Sequence, residues 1–182
     1  IEHGLHQRFP EGTEVPPFMA IAATGRPENA YEVGKIVAKE SRAVGIHWNF
    51  SPVVDVNNNP NNPIINVRSF SEDPGVVSLY ATQYISGLQD NGMLATAKHF
   101  PDHGDTETDS HSSLAMIPSD SSRLWEIEIP PFQDMIEKGI DAIMVAHVHS
   151  PDYQPDSYTP ASMSKFWVND ILKEKLEFRG AI

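Results

Sequence analysis

Residues 92–111 read GMLATAKHFPDHGDTETDSH. The first six are small and almost wholly apolar, without the polar alternation of a half-solvated strand, and this marks a strand buried on both faces, as in an all-parallel sheet. The following fourteen, KHFPDHGDTETDSH (98–111), hold one lysine, three histidines and four acidic residues. A loop of this kind directly after a buried strand has three readings: a metal cage, an acid/base device acting on a substrate, or a polar solvated loop.

Upstream, apolar side chains recur at Ala30, Val33, Gly34, Val37, Ala38 and Val44 behind Pro27, which predicts an amphipathic helix stopped by Gly45. The stretch IHWNFSPVVDV (46–56) mixes β-branched and aromatic residues and predicts a strand, and NNNPNNP (57–63) predicts a loop. A second helix is expected from about Pro74, with Val77, Tyr80, Ala81, Tyr84, Ile85 and Leu88 on one side. Downstream, SSRLWEIEIPPFQDMIEKG (121–139) reads as a helix in two parts, interrupted or restarted at Pro130 and Pro131 and closed by Gly139. IDAIMVAH (140–147) is a further buried strand, and MSKFWVNDILKEKL (163–176) a last helix.

Strand, polar loop and helix thus recur about every 35 to 50 residues, the size of a βα unit. The alternation means parallel α/β, either a doubly wound sheet or a (β/α)8 barrel. Long polar loops after strands with short helix-to-strand links favour the barrel, whose working face lies at the strand C-termini. No glycine-rich dinucleotide loop follows any strand. The expectation is a partial TIM-type barrel, roughly half of one, with an open apolar interior face.

A chain of 182 residues suffices for one domain with its own core. With 40% hydrophobic and 21% charged residues it reads as globular, and no apolar run has the length of a membrane span. Acidic residues outnumber basic ones 25 to 13, the net charge is −12, and the cations are scattered, so nucleic acid and anionic membrane are not the expected partners. Zero cysteines exclude disulfides and thiolate metal sites, and fit an oxidising compartment as well as a reducing one. Neither an initiator methionine nor a signal peptide precedes Ile1, and EFRGAI (177–182) reads as the opening of another strand. Residues 1–182 are therefore expected to be part of one domain cut at both ends.

Each expected strand ends in polar residues: Glu2 and His3 at the start, Asp55, then Lys98 and His99, then His147. Singly, such residues serve loop backbone; in a barrel, all of them line one mouth. For a metal, His99, His103, Asp105, Asp109 and His111 have suitable donors, but Pro101 and Gly104 exclude the helix that would bring His99 and His103 together. For acid/base work, Asp109 and His111 stand two residues apart, so the carboxylate can orient one ring nitrogen while the other faces a substrate. Lys98 and His99, anchored at the strand end, suit hydrogen bonding to a polar substrate.

KHFPDHGDTETDSH resembles the lysine-histidine loop of family 3 glycoside hydrolases, specifically the β-N-acetylglucosaminidase branch. The resemblance extends in order through FPEGTEVPPFMAIAATGRPENAYEVGKIVAKESRAVGIHWNFSPVVDV, NPIINVRSFSEDP, ATAKHFPDHGDT, IPPFQDMIEKGIDAIMVAHV and LKEKLEFRGAI. It implies that His111 is the general acid/base with Asp109 as its partner, and that Arg68, Lys98 and His99 bind hydroxyls of the sugar. His103 would hold the loop in shape, Asp55 and His147 are candidate supporting residues by their strand-end places, and the resemblance requires neither metal nor cofactor. The implied substrate is an N-acetylglucosamine-containing saccharide or muropeptide, as in peptidoglycan turnover.

The sequence departs from the family pattern at Asp102, where glycine is common; aspartate tolerates a left-handed backbone but adds charge beside the loop. The family's nucleophilic aspartate is expected beyond the strand that RGAI opens, and a substrate-contacting aspartate ahead of Ile1. The resemblance thus implies a retaining double displacement whose nucleophile lies outside these residues. Alternatives within the family are a β-glucosidase or a phosphorylase; outside it, a metal-dependent barrel hydrolase or a non-catalytic sugar-binding domain.

Overall fold

The computed structural model describes residues 1–107, 114–117, 121–154 and 158–182. After a short helix α1 (Phe18–Ala22) comes α2 (Glu28–Ala43), which begins directly after Pro27 and is capped by Val44, with Gly45 beyond it at a φ of 86° opening the turn into the next strand. Strand β1 (Trp48–Asn49) is followed by α3 (Pro74–Gln89), where the Asp73 carboxylate accepts from Val76 N at 2.9 Å and Pro74 takes the first helical position. Then come β2 (Leu94–Phe100), β3 (Ala115–Met116), a helical turn α4 (Ser121–Arg123), a π-wound segment Leu124–Glu128 and α5 (Ile129–Lys138). Strands β4 (Ala142–Val145) and β5 (Val148–His149) precede a π-wound helix, Phe166–Lys175.

β1, β2 and β4 form a parallel sheet in that order, with Trp48 opposite Leu94 and Thr96 opposite Ala142. Ala181 bridges in parallel to Ala142, so RGAI lies along the edge of β4. Helix-to-strand links are short (44–47, 90–93, 139–141) and strand-to-helix links long, as in a barrel. The described elements make part of such a barrel.

One expectation needs adjusting. The strand expected over 46–56 has only two ladder residues, because Pro52 has no N–H to donate. The chain still follows β2: Thr96 N donates to Ser51 O, Lys98 N to Pro52 O and Val54 N to Lys98 O. The two prolines of 121–139 restart the helix, one of the two alternatives expected, without breaking the helical run. They stand in the first turn of α5, where missing donors do no harm, and the wider winding of Leu124–Glu128 joins it to the residues before.

Side chains of β2 alternate across the sheet as far as Lys98, beyond which the register with β4 shifts and Phe100 turns to the helix side. Ala95 and Ala97 are buried under the helices, where small side chains let α3 and α5 approach. Gly34 of α2 and Gly87 of α3 mark a still closer approach: a Cβ on Gly87 would stand 2.2 Å from Tyr31 O, and one on Gly34 2.4 Å from Tyr84 O. The core beneath is aromatic, with Phe18 stacked on Phe70 at 4.6 Å and Phe100 edge-on to Phe132 and Trp167. The other face, carrying Leu94, Thr96 and Lys98, is the barrel interior. There Trp48 (42% exposed), Phe50 (54%) and Leu94 (45%) are open to solvent, as expected of a partial barrel.

Candidate active site

The alternation that turns Leu94 inward also turns Lys98 inward, at the C-terminal end of β2. A carboxylate meets it there. Lys98 Nζ lies 2.5 Å from Glu2 Oε2, while Arg68 donates from Nε to Glu2 Oε1 at 2.7 Å and from Nη2 to Oε2 at 2.9 Å. Arg68 is fixed from its other side by Ile64 O, 3.1 Å from Nη1. Burial alone would raise the Glu2 pKa, but the Arg68 hydrogen bonds and the Lys98 ammonium outweigh it and bring the carboxyl down to about 2.

Asp55, fully buried, organises the other half. Its Oδ1 accepts from His99 N at 3.0 Å and His103 N at 2.8 Å, and its Oδ2 lies 2.7 Å from His99 Nδ1. A carboxylate only accepts, so the His99 proton sits on Nδ1 and Nε2 is left for another partner. Burial pushes the Asp55 carboxyl up, yet the charge and hydrogen bonds of His99 carry it below the ordinary value. His103 Nδ1 meets Thr106 Oγ1 at 2.6 Å, and burial lowers this ring's pKa.

Arg68, Lys98, His99, His103 and His147 converge with Ile64 and Met144 on one cavity of ≈ 420 Å³ at the strand C-terminal end. That volume suits a single monosaccharide ring with its substituents. His147, on the exposed rim, contacts Ser162 Oγ through Nδ1 at 2.6 Å. Asp55 supports the cavity from behind through His99. Asp109 and His111 lie outside the described residues.

The loops are held by contacts that composition does not reveal. Asn62, buried within the asparagine run, donates to His103 O at 2.7 Å and Gly104 O at 3.0 Å, while its Oδ1 accepts from Ile64 N and Ile65 N. Gly104 packs against Val56 so closely that a Cβ would stand 1.9 Å from Val56 O. Asp102 differs from its expected setting: it is fully buried, its backbone is not left-handed, and its carboxylate accepts from Val56 N at 2.9 Å and Gly104 N at 2.5 Å. Burial and the nearby Asp55 and Glu128 charges push its pKa well up. Behind it Arg123 bridges Asp105 (2.9 Å) and Glu128 (3.1 Å), and Asn58 donates to the same Glu128 oxygen at 3.0 Å.

Glu2 was expected only as a polar strand-end residue, but it occupies a turn beside β2 and joins the two cations. The signal was present: two cations destined for one pocket need a counter-charge. Among the described residues no group of three or more His, Asp or Glu side chains could hold a metal ion.

Residues 1–182 match the glycosyl hydrolase family 3 N-terminal domain from end to end. The chain belongs to that family. Its relatives include a β-hexosaminidase of Stenotrophomonas maltophilia, 40% identical over 188 residues that cover 100% of this chain and 55% of the relative. A family 3 β-N-acetylglucosaminidase structure from Paenibacillus sp. superposes with a TM-score of 0.90 at 43% identity, over 93% of this chain and 32% of that one. NagZ from Neisseria gonorrhoeae, solved in complex with N-trifluoroacetyl-D-glucosamine, gives a TM-score of 0.86 at 32% identity, over 93% of this chain and 51% of that one. The chain thus spans about half the length of the β-hexosaminidase.

Proposed function

We propose that this chain supplies the sugar-binding and acid/base half of a retaining, exo-acting β-N-acetylglucosaminidase. The observation that carries the reading is the convergence of Arg68, Lys98 and His99 on one monosaccharide-sized cavity, in a chain that belongs throughout to glycosyl hydrolase family 3. Arg68, Lys98 and the free Nε2 of His99 offer hydrogen bonds to sugar hydroxyls. Asp55 and His103 hold that edge in place, and His147 borders the entrance.

In the reaction proposed for the intact protein, an aspartate beyond Ile182 attacks the anomeric carbon as the bond to the departing oxygen breaks. His111, oriented by Asp109, gives that oxygen its proton. In the second half His111 takes a proton from water, whose oxygen attacks the same carbon and releases the aspartate, so the anomeric configuration is retained. A histidine in this place carries no negative charge to repel an anionic acceptor, and phosphate in place of water would give a glycosyl phosphate.

The intact protein incubated with a para-nitrophenyl N-acetyl-β-glucosaminide is expected to release the β-anomer of N-acetylglucosamine first, seen by NMR. Release of the α-anomer would contradict double displacement. A glycosyl phosphate formed in phosphate buffer would reassign the acceptor, and turnover abolished by a chelator would favour a metal hydrolase.

A further inference from the structure

The reaction gives Glu2 no part, yet Glu2 touches both cations of the cavity. Its two oxygens contact Arg68 at 2.7 and 2.9 Å, and one of them also contacts Lys98 at 2.5 Å. His3 Nε2 lies 3.4 Å from the other. We infer that Glu2 is a positioning residue of the sugar subsite, aiming Arg68 and Lys98 as a fixed pair of donors at substrate hydroxyls.

The inference rests on the glycosidase reading above. Arg68 and Lys98 carry long, flexible side chains whose ordering opposes binding when it happens only as substrate arrives. Two cations at the wall of one cavity also repel each other. A carboxylate between them removes both difficulties before the sugar enters. Arg68 has five N–H donors and Lys98 three. Glu2 and Ile64 O take three from Arg68, and Glu2 takes one from Lys98, so both cations keep donors to offer. The low pKa of Glu2 means that the carboxylate is no proton carrier at neutral pH.

The test is a cycle between enzyme and substrate in the intact protein. kcat/KM is measured for wild type and Glu2→Gln on the para-nitrophenyl N-acetyl-β-glucosaminide and on its monodeoxy analogues. In wild type, removing a hydroxyl held by the cations is expected to lower kcat/KM about 10- to 100-fold, the range for a charge-assisted hydrogen bond. In Glu2→Gln the parent glycoside should lose a similar factor, and the deoxy penalty should shrink to within about threefold, because the two losses are the same interaction. A deoxy penalty unchanged in Glu2→Gln would overturn the inference and leave Glu2 a structural ion-pair partner. Should Glu2→Gln not fold, Glu2→Asp carries the same cycle, with an intermediate coupling expected. If the wild type fails to turn over the glycoside at all, the glycosidase reading falls and takes this inference with it. If it turns over and depends on His111, an additive cycle removes the Glu2 inference alone.

Discussion

Asp55 shows how much one buried side chain can decide. Replacing it with alanine would strip the acceptor from His99 N, His99 Nδ1 and His103 N together. Each unsatisfied buried donor costs about 1–3 kcal/mol, so Asp55→Ala is expected to destabilise by roughly 3–5 kcal/mol, read as a fall in the urea midpoint. Glu2 makes a pH prediction. A depressed carboxyl contributes stability that is complete above its unfolded pKa and lost as pH falls through the folded one, so this window runs from 4.5 down to about 2. Glu2 accounts for on the order of 3 kcal/mol across it. Asp55, also lowered, adds in the same direction, whereas Asp102 and Glu128, both raised by burial, are relieved by protonation and gain stability as pH falls through their folded values. Urea midpoints between pH 5 and pH 2 in about half-unit steps should therefore fall less in Glu2→Gln than in wild type. Equal slopes would mean that Glu2 is not paired as described.

At the scale of elements, the α2–α3 crossing at Gly34 and Gly87 is the least forgiving contact. Alanine is the better helix former by about 1 kcal/mol, but at Gly87 its methyl would meet backbone rather than a movable side chain. Gly87→Ala is expected to lower stability by about 1–3 kcal/mol, with a matching drop in Tm. A rise in Tm would show that the helices do not pack this closely. The helices and buried strands were legible in the sequence, because burial imposes its period on the residues themselves: Ala30 to Val44 for α2, and the apolar stretch around Ala95 and Ala97 for β2. The short β1 is explained by Pro52, a residue plain in the sequence. Asn62 could not be read in advance, since what it holds are His103 and Gly104 carbonyls about forty residues away, and backbone atoms leave no trace in residue type. The places of Lys98, His99 and His147 at strand ends pointed to one mouth, whereas Arg68 was implied only by the family resemblance. Glu2 as the counter-charge was not anticipated.

At the scale of the whole molecule, the described strands leave an apolar interior face open, with Trp48, Phe50 and Leu94 on it. The isolated 182-residue chain is expected to self-associate through this face, seen as a concentration-dependent sedimentation coefficient, and to hydrolyse no glycoside, because the proposed nucleophile is not within it. His111-dependent turnover by the isolated chain would refute the division of labour proposed here. The central proposal is that His111 gives a proton to the departing oxygen of a sugar bound by Lys98 and His99. It is tested most directly by kcat/KM of the intact protein and its His111→Ala variant on two N-acetyl-β-glucosaminides, one bearing a sugar as leaving group and one bearing dinitrophenol, which departs without protonation. The predicted result is a loss of about 10²- to 10⁴-fold on the sugar-leaving substrate and a much smaller loss on the dinitrophenyl one. Equal losses on both substrates, or none on either, would contradict it.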